Sequence, residues 1–519
     1  MRLRRTKHRA QKPFAIMARD LEATRSFAEV SEAEADLLTS YIRPIVLLRK
    51  SDDYYLSELI SPSLHNVGVM LPYTGLHVML FDGVQEPAYV MTSANPPNEP
   101  IITENREAVK RLGSVVDYFL LHDRNIAQRC DDSVVRLHGK DQSIIRRSRG
   151  YAPEPIRLKH PVNCCALGVG AELNVTSCVL LGDKAFLSQH IGDVEKLETL
   201  RFLEDSVDHL ARLTNSEVEV VACDLHPKFN TTRLARKLGE RFGCPIVPVQ
   251  HHHAHIASLM GEHGVQEMVG IVCDGFGYGS DGGAWGGEVL YCNPKGFQRL
   301  GHLQEQPMVG GDLATRYPLR MVAGMLHAVT DIDEWLLSLR DRFPHGEREV
   351  ELVLKQLEGG SVFKTTSCGR VLDAVSAMLG LCYERTYEGE PAMKLESAAI
   401  KGKDTLNLAP KLEGKTVNTT LLVHEVFNQR GNHPVADLAH SAQLYLAEGL
   451  AQLAVEEAEG LGVGTVGFSG GVAYNECIVS AIRRTVEESG LRFLVHGQVP
   501  PGDGGVSLGQ AIVAASSAL

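Results

Sequence analysis

Four histidines stand within five residues, at positions 251, 252, 253 and 255. If this segment is helical, His251 and His255 are four residues apart and point to the same side. Two imidazoles placed in this way can hold one divalent metal ion, while His252 would point elsewhere and could face a substrate. A solvated histidine run or the capped start of a helix is the plainer alternative, but the spacing favours a metal site.

A metal held by two imidazoles needs further ligands, and carboxylates are the preferred ones. Asp274 follows the apolar run 269–273, and Asp503 lies between glycines ahead of a helix-like segment. Either aspartate could instead bind magnesium or cap a helix. A mixed set of imidazoles and carboxylates suits iron or zinc, and the sequence does not choose between these two metals.

Glycine-rich turns form a second group of candidates, because bare main chain lets phosphate oxygens approach closely. These turns lie at 168–172, which contains Gly170, at 274–279, at Gly470 and Gly471, and at 502–505. Most of them follow an apolar strand, which favours nucleotide binding at the strand ends.

Cations and small polar side chains form a third group within the first 150 residues. This group contains Lys12, Ser93, Asn95, Arg147 and Ser148. Such a combination suits an anionic ligand that carries phosphate, although a basic segment can also be no more than a solvated face.

The elements that must position these residues follow two patterns. Residues 1–150 alternate short apolar runs with helical stretches, which predicts a mixed α/β domain that ends in a proline-rich linker at 150–155. Beyond the linker, apolar strands at 218–224, 269–275 and 467–471 each run into an acid or a glycine turn. This recurrence predicts a duplicated nucleotide-binding fold. Residues 345–375 and 405–425 show less pattern and are predicted to be insertions.

Composition excludes several classes of protein. The 519 residues have 44% hydrophobic and 22% charged side chains, which is ordinary for a globular protein, and the net charge of -12 disfavours a nucleic-acid partner. The 11 cysteines include no C-x-x-C pair, which favours a reduced, cytosolic protein. A run of about 18 apolar residues is absent from the sequence, so we expect no membrane partner.

The first part of the chain resembles the YrdC-like domain of the HypF family of hydrogenase-maturation carbamoyltransferases. The similar stretches are 12–17, 71–77, 91–95, 122–134 and 147–153. The second part is similar to the metal-binding domain of this family, which belongs to the actin-like ATPase superfamily. Its similar stretches are 250–255, 274–279, 285–288, 366–375, 387–393 and 468–475.

This resemblance implies an α/β protein with two domains. Residues 1–153 would form a YrdC-like adenylation domain that is truncated at its N-terminus, and residues 154–519 would form a carbamoyl-transfer domain with a duplicated actin-like ATPase fold. Family members begin with an acylphosphatase-like domain and two cysteine-rich zinc modules, whereas we expect this chain to open inside the YrdC-like region.

The resemblance also implies the reaction. The family makes a carbamoyl adenylate from carbamoyl phosphate and ATP with Mg²⁺, and transfers the carbamoyl group to the C-terminal cysteine of a HypE-like partner. One Fe²⁺ or Zn²⁺ would bind in the second domain through His251, His255, Asp274 and Asp503. The catalytic residues would be Lys12, Arg147 and His252. The nucleotide-binding residues would be Ser93, Asn95, Ser148, Gly170, Asp373, Gly470, Gly471 and Asn475.

Three other functions compete with this one. Carbamoyltransferases that act on small molecules share both domains but place the metal domain first, which is the opposite order. A threonylcarbamoyl-transfer enzyme acting on tRNA is disfavoured by the net charge of -12. A non-catalytic scaffold that binds nucleotide and docks on maturation factors is the third alternative, since a fold alone does not prove activity.

Overall fold

The structure is a computed structural model that describes residues 1–97 and 99–517. The chain folds into two compact units. Unit 1 holds Met1–Val249, Ala257–Gly264 and the C-terminal segment from His496, and unit 2 holds Gln250–Ile256 and Val265–Val495. Within the described residues, no helix is both long and apolar enough to cross a lipid bilayer.

The first sheet lies in unit 1 and has six strands in the order β4-β1-β3-β2-β5-β6. Its strands are β1 (Ala15–Ala18), β2 (Ile45–Arg49), β3 (Asn66–Met70), β4 (Ala88–Met91), β5 (Val134–His138) and β6 (Asp141–Arg146). The helices beside it are α1 (Arg2–Thr6), α2 (Leu21–Arg25), α3 (Glu32–Thr39), α4 (Gly75–Met79) and α5 (Asn105–Leu112). Helix α3 begins with a capping box, in which the side chains of Ser31 and Glu34 each bond the other's main chain.

The second sheet also lies in unit 1, in the order β12-β11-β8-β9-β10-β7. Its strands are β7 (Ile156–Arg157), β8 (Ala166–Gly168), β9 (Cys178–Leu181), β10 (Lys184–Leu187), β11 (Val220–Asp224) and β12 (Ile246–Val249). The helices that follow these strands are α6 (Leu197–Thr214), α7 (Asn230–Phe242) and α8 (His251–His263). Helix α8 begins in unit 2 and ends in unit 1.

The third sheet lies in unit 2, and its main path is β18-β19-β15-β14-β13-β20-β21. Its strands are β13 (Met268–Tyr278), β14 (Ala284–Asn293), β15 (Gly296–Leu303), β16 (Gln306–Pro307), β17 (Lys364–Thr365), β18 (Leu412–Glu413), β19 (Thr416–Val417), β20 (Thr465–Ser469) and β21 (Arg492–Leu494). The helices of this unit are α9 (Asp312–Arg316), α10 (Leu319–Leu326), α11 (Asp333–Ser338), α12 (Glu347–Glu358), α13 (Cys368–Met378), α14 (Glu390–Ala399), α15 (Thr419–Gln429), α16 (Val435–Leu461) and α17 (Glu476–Glu488). The final helix, α18 (Val506–Ser517), returns to unit 1.

The second and third sheets repeat one topology. In the second sheet, β8, β9 and β10 form an antiparallel meander, and β11 and β12 add to β8 in parallel. In the third sheet, β13, β14 and β15 form the same meander, and β20 and β21 add to β13 in parallel. This shared order confirms the duplicated fold that the recurring strands predicted.

Each half of the duplication has its own apolar core. The core of the first half contains Leu167 of β8, Val221 of β11 and Leu203 of α6. The larger core of unit 2 packs α10, α13 and α16 around β13. Every residue of α13 is buried, so the expectation that 345–375 forms an insertion is wrong for this helix.

Candidate functional site

The start of helix α8 brings two imidazoles together. The side chain of Gln250 accepts a hydrogen bond from the main-chain N–H of His253 at 2.8 Å, which caps the helix. One turn apart, Nε2 of His251 and Nε2 of His255 lie 3.3 Å from each other. The predicted helical spacing of this pair is therefore confirmed.

A carboxylate faces the two imidazoles from the end of the apolar part of β13. Oδ2 of Asp274 lies 3.2 Å from Nε2 of His255 and 3.6 Å from Nε2 of His251. The three side chains are buried or nearly so, and they lie in unit 2. We call this group the histidine–aspartate cluster.

The spacing of the cluster fits a metal ion. Ligand atoms about 2.1 Å from a tetrahedral ion lie about 3.4 Å from one another, and the three separations of 3.3, 3.2 and 3.6 Å are close to that value. Two imidazoles and one carboxylate are also a common set for iron and for catalytic zinc. The donor set therefore fits either metal.

The electrostatics of the cluster favour an ionised acid. Burial pushes the pKa of Asp274 upward, but the facing His251 and His255 outweigh burial and hold this pKa well below its ordinary value. The carboxylate is thus negatively charged at neutral pH, which is the form that binds a metal ion.

His252 lies beside the cluster and faces another way. It is completely buried, and the side-chain amide of Gln250 donates a hydrogen bond to its Nδ1 at 3.0 Å. Burial, reinforced by His251, holds the pKa of His252 well below its ordinary value, so this imidazole is neutral. A methyl group on Gly277 would lie 2.3 Å from the ring, which shows how tightly β13 packs against it.

A glycine turn borders the cluster because β20 pairs with β13 in parallel as far as Ser469 opposite Val272, so the turn that follows β20 lies beside Asp274 of β13. Gly470 has φ of +97°, and a methyl group there would lie 2.3 Å from the carbonyl oxygen of Cys273. A methyl group on Gly471 would lie 3.2 Å from Oδ1 of Asp274. Bare main chain therefore stands directly beside the carboxylate of Asp274, and the roles of Gly470 and Gly471 toward nucleotide and of Asp274 toward metal stay predictions.

The other two residues expected to hold nucleotide in this unit have protein partners. Asp373 on α13 is buried and lies 2.9 Å from Nη2 of Arg370. Burial raises the pKa of Asp373 despite the nearby Arg370 and Arg385. The side chain of Asn475 caps α17 and donates to Oε1 of Gln443 at 2.6 Å. Their roles toward nucleotide stay predictions.

Unit 1 holds Ser93 and Asn95 together through a residue that the sequence did not single out. Nζ of Lys7 donates to the carbonyl oxygens of Ser93 at 2.8 Å and Asn95 at 2.7 Å, and to Oδ1 of Asn95 at 2.9 Å. Oγ of Ser93 also donates to Oδ1 of Asn95. Burial and the neighbouring Arg9 lower the pKa of Lys7 to about 8. We call this arrangement the lysine-held loop.

The remaining candidates of the first domain lie in different surroundings. Lys12 is exposed, and its carbonyl oxygen accepts from Nη1 of Arg4. Arg147 is buried, donates from Nη2 to the carbonyl oxygen of Glu154 at 2.8 Å, and has a pKa lowered to about 10 by burial. Ser148 is buried, and its main-chain N–H donates to Oγ of Ser133. Their catalytic and binding roles stay predictions.

Gly170 and Asp503 both lie in unit 1. Gln510 bonds both main-chain groups of Gly170: Oε1 accepts from the N–H at 2.8 Å, and Nε2 donates to the carbonyl oxygen at 3.1 Å. Asp503 opens the short turn before α18, where Oγ1 of Thr176 donates to the carbonyl oxygen of Gly504. The expected contacts of Gly170 with nucleotide and of Asp503 with metal stay predictions.

Three family models match the chain in order. A Sua5/YciO/YrdC model, described as telomere recombination, matches residues 1–148. The model of the HypF Kae1-like domain matches residues 162–262. The model of the carbamoyltransferase Kae1-like domain, second subdomain, matches residues 270–510.

Curated relatives match over nearly the whole chain. The probable carbamoyltransferase HypF of Methanocaldococcus jannaschii is 44% identical over 518 residues, which is 99% of this chain and 67% of the relative. The chain belongs to the HypF carbamoyltransferase family. Carbamoyltransferase HypF2 of Cupriavidus necator is 39% identical over 562 residues, with 99% of this chain and 68% of the relative covered.

Solved HypF structures have the same fold. The crystal structure of T. kodakarensis HypF superposes with a TM-score of 0.94 at 45% identity, covering 99% of this chain and 68% of that one. A full-length HypF in a phosphate- and nucleotide-bound form superposes with a TM-score of 0.93 at 35% identity and the same coverage. The family resemblance, the fold class and the assignment as a carbamoyltransferase are therefore confirmed.

Proposed function

We propose that this carbamoyltransferase uses ATP and carbamoyl phosphate to carbamoylate the C-terminal cysteine of a HypE-like protein during the maturation of [NiFe] hydrogenase. One observation carries the proposal: His251, His255 and Asp274 converge beside the end of β20, where Gly470 and Gly471 follow the strand. A HypF relative whose solved structure is described as nucleotide-bound supports the use of nucleotide.

The first half-reaction is assigned to unit 1. Hydrolysis of carbamoyl phosphate supplies carbamate, an oxygen of carbamate attacks the α-phosphorus of MgATP, and pyrophosphate leaves with the electron pair of the broken bond. The lysine-held loop offers Ser93 and Asn95 to the adenylate, and Lys12 and Arg147 supply positive charge. Fixed cations stabilise the charge that develops on the phosphates.

The second half-reaction is assigned to the histidine–aspartate cluster. One Fe²⁺ or Zn²⁺ held there would supply Lewis-acid chemistry and orientation. The acceptor thiolate attacks the carbamoyl carbon, the bond to the adenylate oxygen breaks, and AMP leaves with its electron pair. His252 orients the reacting groups as a neutral imidazole, and Asp373, Gly470, Gly471 and Asn475 hold the nucleotide.

Asp503 is proposed as a further metal ligand on the strength of the sequence resemblance. The variant Asp503→Asn should bind the metal at least 10-fold more weakly, because an amide is a poorer ligand than a carboxylate. Metal content after dialysis against a series of chelator concentrations measures this change. Unchanged metal affinity would remove Asp503 from the ligand set.

Separate assays of the two half-reactions test the function. Exchange between ATP and labelled pyrophosphate that depends on carbamoyl phosphate reports the adenylate, and mass spectrometry of the acceptor's C-terminal peptide reports transfer. We expect both activities from the metal-loaded chain supplied with acylphosphatase. Nucleotide binding without exchange or transfer would instead identify a non-catalytic scaffold.

A further inference from the structure

The start of helix α13 is hydrogen-bonded to the part of β13 that carries Asp274, the proposed metal ligand. Oγ of Ser367, the residue before α13, donates to the carbonyl oxygens of Asp274 at 2.9 Å and Gly275 at 2.8 Å. A methyl group on Gly369 would lie 3.3 Å from the carbonyl oxygen of Asp274. The first turn of α13 is therefore packed and hydrogen-bonded against the Asp274–Gly275 peptide.

This packing places a guanidinium beside a bare glycine. A methyl group on Gly275 would lie 3.5 Å from Nη2 of Arg370, so Gly275 leaves room in front of this cation. Arg370 is only 5% exposed, and arginine is rarely buried to this extent unless its charge is paired. A side chain buried to this extent has lost its water and needs protein or ligand partners.

The charge of Arg370 is only partly used by the protein. Nη2 pairs with Oδ2 of Asp373 at 2.9 Å, while Nε is buried and has no hydrogen-bond partner among the described residues. Arg385 also lies near Asp373, and it has Glu388 and Asp312 as further acidic neighbours. Asp373 is thus shared by two guanidiniums, and Arg370 retains donors and charge for a second anion.

We propose that Arg370 binds the phosphate of the nucleotide in the transfer step and so holds the AMP part of the adenylate beside Asp274. This inference rests on the proposed function and adds a residue that positions the leaving group. A planar guanidinium matches two oxygens of a phosphate. The bare main chain of Gly275 and Gly471 allows that phosphate to approach the cluster.

The test is calorimetric binding of AMP to the full, metal-loaded chain. Arg370→Gln should weaken AMP binding about 30-fold, since hydrogen bonds to charged groups are lost, and Arg370→Lys should weaken it less. Adenosine, which lacks phosphate, should bind all three proteins equally. Arg316→Gln, which removes an exposed ion pair with Glu384 in the same unit, is the matched control and should leave AMP binding unchanged.

Several outcomes would overturn the inference. Equal weakening of AMP binding and adenosine binding in Arg370→Gln would mean that Arg370 only supports the fold. Recovery of AMP affinity in the double variant, which carries both Arg370→Gln and Asp373→Asn, would mean the same. Unaltered AMP binding in both single variants, or absence of AMP binding to the unaltered chain, would also contradict it. Equal weakening of inorganic phosphate or carbamoyl phosphate with no effect on AMP would assign Arg370 to another anion.

Parallel measurements separate this inference from the proposed function. Metal content should be the same in every variant, and exchange between ATP and pyrophosphate should continue in Arg370→Gln. If the unaltered chain shows no exchange but AMP binding depends on Arg370, the proposed function fails and the phosphate site stands. If exchange is present and the affinity for AMP is the same in the Arg370 variants, only the proposal that Arg370 binds the phosphate is contradicted.

Discussion

The lysine-held loop of unit 1, which is half-buried, and the histidine–aspartate cluster of unit 2, which is almost fully buried, satisfy their polar groups differently. In the loop, the donors of Lys7 already point at three oxygen acceptors. In the cluster, two imidazole nitrogens and one carboxylate oxygen face a common point. The loop holds its own shape, whereas the three donor atoms of the cluster have the spacing and the chemistry of a ligand set for a metal ion.

Because of this difference, we expect the two sites to bind ligands of opposite charge. A lysine that bonds main-chain carbonyls fixes a loop without any ligand, and its buried charge attracts an anion. A carboxylate whose pKa is held low by facing histidines attracts a cation instead. Variants of one site should therefore leave the other half-reaction intact.

The largest expected effect comes from His251→Ala. Loss of one of two imidazoles should remove the metal from the purified protein and lower carbamoyl transfer by about 10³-fold, because the proposed site would keep only two of the three ligands that the cluster offers. Exchange between ATP and pyrophosphate should remain. Metal analysis and both assays on the same preparation measure this.

The matched control for that variant is His253→Ala, on the same helix. Nε2 of His253 contacts the carbonyl oxygen of Asn293 rather than the cluster, so this variant should keep its metal. If His251→Ala loses exchange and transfer to the same extent, the division of labour between the two sites is wrong.

The next effect is expected from Lys7→Met. Removing the cation leaves the carbonyl oxygens of Ser93 and Asn95 without their donor and takes away charge near the anionic ligand, so exchange should fall about 10²-fold. Metal content should not change. Lys237→Met, which removes an exposed lysine paired with Glu204, serves as the control. Loss of metal in Lys7→Met would show general unfolding instead.

The sequence predicted the cluster better than the loop for a physical reason. Helical geometry alone brings His251 and His255 together, and the apolar run before Asp274 predicts a strand that carries this carboxylate, although β13 continues beyond Asp274 to Tyr278. No local periodicity shows that Lys7 is buried while Lys12 is exposed, because six basic residues stand among the first 12 and only tertiary packing tells them apart.

Helix α13 and Gly170 show the same limit. In α13 the polar residues Arg370, Asp373 and Ser376 recur at helical spacing, yet all three are buried, so the pattern does not show that the whole helix lies in the core. The two hydrogen bonds of Gln510 to Gly170 join residues 340 positions apart, and a glycine turn gives no sign of such a partner. Long-range pairings of this kind need the folded chain.

A smaller effect is expected from pH. Because burial and Arg9 lower the pKa of Lys7 to about 8, against a weaker opposing effect of Asp131, this lysine loses its proton above that pH. The kcat/KM of exchange should then fall by up to about tenfold per pH unit. Lys7→Arg should remove this limb of the profile, since arginine stays charged. A profile that is the same in Lys7→Arg would assign the titration to another group.

Alkaline unfolding can be told apart from this titration by its sign. The folded pKa of Lys7 is below the ordinary lysine value, so between these two values the unfolded chain binds more protons than the folded one. The contribution of Lys7 to the free energy of unfolding therefore rises with pH in that window. The rate of exchange should therefore fall with pH while this contribution rises. Urea titrations at several pH values measure the free energy of unfolding, and the difference between the original chain and Lys7→Arg gives the contribution of Lys7.

The smallest effect is expected from Gly471→Ala, and it tests how closely the nucleotide turn and the metal ligand share their space. The added methyl group would lie 3.2 Å from Oδ1 of Asp274, so the carboxylate must shift by a few tenths of an ångström. We expect a few-fold rise in the KM for transfer and a similar loss of metal affinity. In the same unit, a methyl group on Gly464 would meet no atom within 4 Å, so Gly464→Ala should change neither quantity. If Gly471→Ala raised the KM without changing metal affinity, the turn would contact only the nucleotide. The cluster would then bind its metal independently of the turn, just as the lysine-held loop keeps its shape without a ligand.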